Sequence, residues 1–186
     1  MRIAMIGCLA AMLGAATTNI ADAAGFSLTS PDVSKGGTVK PEQVINDFGC
    51  TGSNISPELS WSGAPAGAKS FALTIFDPDA PTGSGFWHWV VANIPVNTTS
   101  LPKNAGDAKS GLAPKGAVQV RNDYGSLGYG GPCPPKGDKP HRYVFTLFAV
   151  DMETLPVNAD ASPAFVGFNL HFHTLAKTTF TAHYGH

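Results

Sequence analysis

The sequence has little charge: Asp, Glu, Lys and Arg make up 13% of its 186 residues, and the formal net charge is −1. Nothing in so nearly neutral a composition marks a surface for nucleic acid or an anionic membrane. Long apolar runs are scarce as well. The longest, residues 3–16, follows Met1-Arg2 and precedes Ala21-Asp22-Ala23, which is the pattern of a secretory signal peptide and too short for a bilayer span. Cleavage is expected after Ala23, making 1–23 a leader and 24–186 a single domain, periplasmic or secreted. Cysteine is nearly absent. Cys8 lies in the leader, which leaves Cys50 and Cys133. In an oxidising compartment these two are expected to pair, two unpaired thiols being the alternative. Metalloprotease (HExxH), redox (CxxC), P-loop and nucleophile-elbow patterns are missing too, so the sequence assigns no metal, no cofactor and no catalytic residue.

What the chain has in quantity is punctuation, with 21 Gly and 15 Pro. Such a composition predicts short strands joined by many loops. Residues 71–76 and 87–94 are rich in β-branched and aromatic side chains and read as two strands around the turn Asp77-Pro78-Asp79-Ala80-Pro81 to Gly85. Regular alternation would set His88 on one face with Val90 and Ala92, and Trp87, Trp89 and Val91 on the other. The strongest strand is 141–150, with His141, Tyr143, Phe145 and Leu147 on one face. Weaker strands are read at 26–28, 59–61 and 118–120. Ser162-Pro163 starts a helix expected to run to about Ala176, and 177–184 reads as a last strand. The architecture is mainly β, an antiparallel sandwich or an open barrel with one late helix.

Candidate chemistry gathers at strand ends. Asp77 and Asp79 are two apart, which in an extended segment puts both carboxylates on one side; the plainer reading is an Asp that caps a turn. His88 and His141 each open a strand directly after a Gly/Pro-rich loop. Either alone would be a hydrogen-bonded structural histidine, but both beside an acidic turn suit a pocket for a small anion or polar headgroup. Arg142 alternates away from His141 and suits a salt bridge that locks a loop. His171 and His173 have the wrong spacing to share a metal on a helix. The long loops 97–116 and 124–137 leave room for a protein partner.

Three separated motifs now carry a resemblance: Asp77-Pro-Asp-Ala-Pro81; Trp87-His88 leading into Val-Val-Ala-Asn-Ile-Pro; and Gly131-Pro132 with Pro135-Lys136-Gly137 and His141-Arg142-Tyr143. In this order they resemble the phosphatidylethanolamine-binding protein family, which includes the Raf kinase inhibitor proteins. The Cys50-Thr51-Gly52 loop, Gly-Pro-Cys-Pro-Pro and the leader resemble its bacterial YbhB/YbcL-like branch. The resemblance spans the mature chain. It implies a β-sandwich of two antiparallel sheets with a few peripheral helices, one near the C-terminus. It also implies a non-enzymatic protein whose cavity binds phosphate, a phospholipid headgroup or a phosphorylated ligand. By motif, Asp77 and His88 would line that cavity, Asp79 and Pro81 shape its wall, Gly131 and Pro132 form the opposite lip, and His141 and Tyr143 complete it. Phe86 and Trp89, which flank the Trp87-His88 pair, differ from the mammalian members and imply a cavity wall of different size. An inhibitor acting on a partner protein through its loops and a weak Asp/His hydrolase are the rival readings. A homodimer is compatible with the sequence, which carries no interface signature.

Overall fold

The computed structural model describes residues 25–186, so the leader expected at 1–23 lies outside the described residues. Two antiparallel sheets face each other. The smaller has the order β1-β2-β5, from β1 (Ser27–Thr29), β2 (Leu59–Ser62) and β5 (Ser100–Leu101). The larger runs β6-β4-β3-β7-β8, from β3 (Ser70–Asp77), β4 (Phe86–Pro95), β6 (Val118–Gln119), β7 (His141–Val150) and β8 (Thr174–Tyr184). One core fills the space between the sheets, where Trp61, Leu73, Trp89, Tyr143 and Phe145 meet. A second core lies on the other face of the larger sheet, where Val90, Ala92 and Val150 pack against Val166 and Leu170 of the helix α1 (Pro163–His173). Apolar cover on both faces explains why β3 reads as a nearly continuous hydrophobic run instead of an alternating one. The mainly β sandwich and the helix near the C-terminus are as the sequence predicts.

α1 starts where expected, with the Ser162 hydroxyl accepting a hydrogen bond from the Phe165 N–H at 3.2 Å and Pro163 in the first turn. It ends earlier than expected, at His173 and not near Ala176. From Thr174 the backbone is extended and the chain pairs with β7, Val150 opposite Thr174 and Ala149 opposite Ala176. A β-branched segment offered a full partner strand leaves the helix, whatever its apolar spacing suggests. The helix buries Val166, Asn169 and Leu170, while Phe165, Phe168 and Phe172 stay exposed.

The second difference lies in β4. Phe76 pairs with Trp87 and Ile75 with Trp89, so His88 is one residue too many for the ladder, a β-bulge. The bulge reverses the alternation on either side of it. Trp87 packs towards the helix-side core, while Trp89 lies in the inter-sheet core. His88 therefore does not share a face with Val90 and Ala92 as simple alternation would have it. Its ring packs edge-on to Tyr143, at 5.1 Å between centroids, on the inter-sheet side.

Candidate ligand-binding site

The candidate site forms where β3 ends, β4 begins and β7 begins. Asp77, the last residue of β3, is buried, with 2% of its surface exposed. One of its carboxylate oxygens accepts from the backbone N–H groups of Asp79 (2.8 Å) and Ala80 (3.1 Å), which folds the turn after the strand. The other oxygen accepts a 2.7 Å hydrogen bond from Nδ1 of His141. His141 is thus held in one orientation, with Nε2 3.5 Å from the Asp138 carboxylate.

His88 comes from the neighbouring strand. The bulge frees its carbonyl oxygen from the ladder, and that oxygen accepts from the Gly130 N–H at 2.8 Å. In return its Nδ1 donates to the Gly130 carbonyl at 2.7 Å, which fixes the tautomer and leaves Nε2 as the nitrogen available to a ligand. Burial of the ring lowers the His88 pKa below the ordinary imidazole value; the Gly130 carbonyl opposes the shift without cancelling it. The sign of the resulting pH dependence is fixed. Between the folded pKa and the unfolded value of about 6.5, the unfolded chain binds more protons than the folded one, so stability rises with pH across that window. The stability that wild type holds over His88→Gln is accordingly expected to shrink as the pH falls from 7 to 5, read by denaturant melts at each pH. An unchanged difference would mean that His88 does not fold in its neutral form.

Around these groups lies a cavity of about 540 Å³. Asp77, Phe86, His88, His141 and Tyr143 line its strand side, and Pro81, Asp123 and Tyr124 its loops. Phe48, Ala80, Thr82, Cys133, Pro134, Pro135, Lys136 and His186 complete the lining. The walls are largely aromatic: Tyr124 stacks on Phe48 at 5.3 Å and meets Phe86 edge-on at 4.6 Å. Tyr143 is almost wholly buried, and its hydroxyl has no hydrogen-bond partner among the described residues. Burial also pushes the Tyr143 phenol pKa upward, so the group stays a neutral donor. Cys50 and Cys133 are joined in a disulfide that ties the 48–50 turn to the 131–135 loop, Cys133 being on the cavity lining.

A family model described as phosphatidylethanolamine-binding protein matches residues 29–185. The chain belongs to that family. The phosphatidylethanolamine-binding protein fold is shared with the crystal structure of Escherichia coli YbcL, at a TM-score of 0.85 and 49% identity over 87% of this chain and 99% of that one. In sequence, the chain is 50% identical to the same E. coli protein over 88% of its own length and 90% of the relative's. It is also 50% identical to E. coli YbhB, over 84% and 98%. A putative lipoprotein of Mycobacterium tuberculosis, LppC, is 38% identical over 82% of this chain and 66% of that protein. The bacterial YbhB/YbcL-like branch is the one the sequence motifs indicate.

Not every residue that the family motifs assign to the cavity lies on it. Asp77, Pro81, His88, His141 and Tyr143 line it. Asp79 does not. The turn built on Asp77 swings its neighbour outward, where the Arg142 guanidinium grips Asp79 through Nη2 at 2.7 Å and Nε at 2.9 Å. Hydrogen bonds from Arg142 hold the Asp79 carboxyl down at about 2. This is the loop-locking salt bridge expected of Arg142, and it takes Asp79 out of the pocket. Gly131 and Pro132 are also set back from the lining. A Cβ at Gly131 would collide with the Gln43 carbonyl, its N–H donates to Asn54 Oδ1 at 2.8 Å, and the Pro132 carbonyl accepts from Ile45 at 3.3 Å. The two residues fasten the loop that carries Cys133 and Pro134 instead of touching the cavity. Sequence reasoning missed Phe48, Tyr124 and His186 as lining residues. All three lie outside the strands, and only the Gly-rich setting of Tyr124 hinted at an unusual loop.

Proposed function

We propose that the protein is an exported, non-catalytic binding protein whose cavity takes a small phosphorylated anion, with a phospholipid headgroup as the best-fitting source. The observation that carries this reading is the Tyr143 hydroxyl, a buried donor on a residue of the cavity wall that has no partner among the described residues. An unmatched buried donor costs about 1–3 kcal/mol, which a ligand oxygen would recover. His88 stands beside it with Nε2 free of the Gly130 contact, and Lys136 adds a positive charge to the lining. Asp123, also on the lining, suits the ammonium end of a zwitterionic headgroup such as phosphorylethanolamine. The description of the matched family, a binder of phosphatidylethanolamine, supports the same chemistry. Export is supported by the leader-like N-terminal sequence and by a putative lipoprotein among the relatives.

Binding in place of catalysis is supported by the state of the polar groups. The hydroxyl proton of Thr82, the aliphatic hydroxyl on the lining, is committed to the Gly85 carbonyl. The Cys133 sulfur is likewise unavailable, being in a disulfide. Neither the aliphatic hydroxyl nor the sulfur on the lining is therefore free to act as a nucleophile.

Titration calorimetry with phosphorylethanolamine and with inorganic phosphate tests the reading. Because burial keeps His88 neutral, an anion that settles on its Nε2 must bring a proton, on itself or taken up by the ring. The binding heat is therefore expected to change with the ionisation enthalpy of the buffer, and affinity should drop about 10-fold or more in Tyr143→Phe and in His88→Ala. Wild type that is folded yet binds neither compound would defeat the proposal. Tighter binding of phosphorylethanolamine than of phosphate would identify the headgroup as the source; equal binding would point to free phosphate.

A further inference from the structure

The disulfide at the cavity has a third neighbour. His186 Nδ1 lies 3.7 Å from Cys50 Sγ, and the two sulfurs and this nitrogen all fall within 4.8 Å of one another. Cys133 and His186 both line the cavity. A tetrahedral zinc with bonds of about 2.3 Å to sulfur and about 2.0–2.1 Å to nitrogen separates a thiolate from an imidazole by about 3.6 Å. The observed spacing is close to that edge before any metal enters. No shared sequence motif joins the three residues; the fold brings them together from positions 50, 133 and 186.

We propose that Cys50, Cys133 and His186 form a redox-gated site for Zn²⁺, closed while the disulfide is intact and opened by its reduction. Opening the bond takes two electrons and two protons, supplied by a dithiol that is itself oxidised to a disulfide, and yields two thiols. Zn²⁺ then displaces both thiol protons and is held by two thiolates and the His186 imidazole. Such a complex is neutral overall, which suits surroundings built from Phe48, Pro134 and Pro135. Three protein ligands leave a fourth position open, and with Cys133 and His186 on the lining that position faces the cavity. Cys133 is only partly buried, so a small reductant can reach its sulfur.

The test uses the whole protein, reduced anaerobically with a phosphine and then freed of it. Co²⁺ serves as the optical probe, and Zn²⁺ is titrated in competition with a chromogenic chelator. Reduced wild type is expected to bind one Zn²⁺ at least 100-fold more tightly than the oxidised form and to show a thiolate-to-Co²⁺ charge-transfer band. His186→Ala, which keeps both cysteines, should weaken binding about 10-fold or more. A thermal melt covers the case in which reduction alone loosens the fold: Zn²⁺ should raise the melting temperature of reduced wild type and leave that of reduced Cys50→Ser/Cys133→Ser unmoved. No charge-transfer band, no Zn²⁺-dependent rise in melting temperature, or an affinity unaffected by His186→Ala would each overturn the proposal.

Discussion

Asp77→Ala is expected to lose about 3 kcal/mol or more of stability in urea melts and to lose ligand binding with it. The residue is a buried acceptor for three donors, the Asp79 and Ala80 N–H groups and His141 Nδ1. Removing the acceptor leaves the buried His141 Nδ1 to bear a desolvation cost of about 1–3 kcal/mol, while the Asp79 and Ala80 N–H groups, which are only partly buried, add a smaller cost and the turn they fold is lost. Asp77→Asn separates the two jobs of the carboxylate. An amide oxygen can still accept from the turn, but the amide group cannot match the carboxylate at His141, so this variant should fold with about 1–2 kcal/mol lost while binding suffers. If Asp77→Ala melts within 1 kcal/mol of wild type, the Asp77–His141 pair does not organise the site.

Replacing both Cys50 and Cys133 with serine should have an effect of similar size by a different route. Their separation of 83 residues closes a long loop, for which chain entropy predicts about 4.5 kcal/mol and measured disulfides typically give 2–4. At this chain length about 3 kcal/mol corresponds to a fall of roughly 6–12 °C in melting temperature, measurable by scanning calorimetry. The same loops are also tied by the Tyr129 hydroxyl to the Gln43 carbonyl at 2.8 Å and by Gly131 to Asn54. A fall of less than 2 °C would show that those bonds already restrain the loops, with the disulfide adding nothing. Neither variant reaches α1, on the far side of the larger sheet, so the helical signal should be retained in both until the global transition.

The parts of the molecule legible in the sequence are those governed by local spacing. The face that His141 shares with Tyr143, Phe145 and Leu147 follows from alternation in an unbroken strand, and the start of α1 from a serine cap followed by proline. The same holds for Arg142, whose outward direction led to a salt bridge. Illegible were the features that another segment decides. The helix stops at His173 because β7 offers Thr174 a partner, and nothing in 163–176 announces that. Asp79 leaves the cavity because Asp77 spends an oxygen on the turn, which spacing in an extended chain cannot foresee. Phe48, Tyr124 and His186 reach the cavity from segments with no repeating pattern, so their convergence is purely tertiary.

The bulge in β4 makes His88 supernumerary. Every ladder pair on either side of it, Phe76 with Trp87 and Ile75 with Trp89, would still find its partner if the residue were not there. The bonds of its carbonyl and ring run to Gly130 and not to the adjacent strand. Position 88 is thus an extra letter in the strand, free of the parity that ties each of its neighbours to one core or the other. Chemistry at this point can be rewritten through one residue while both hydrophobic layers keep their composition.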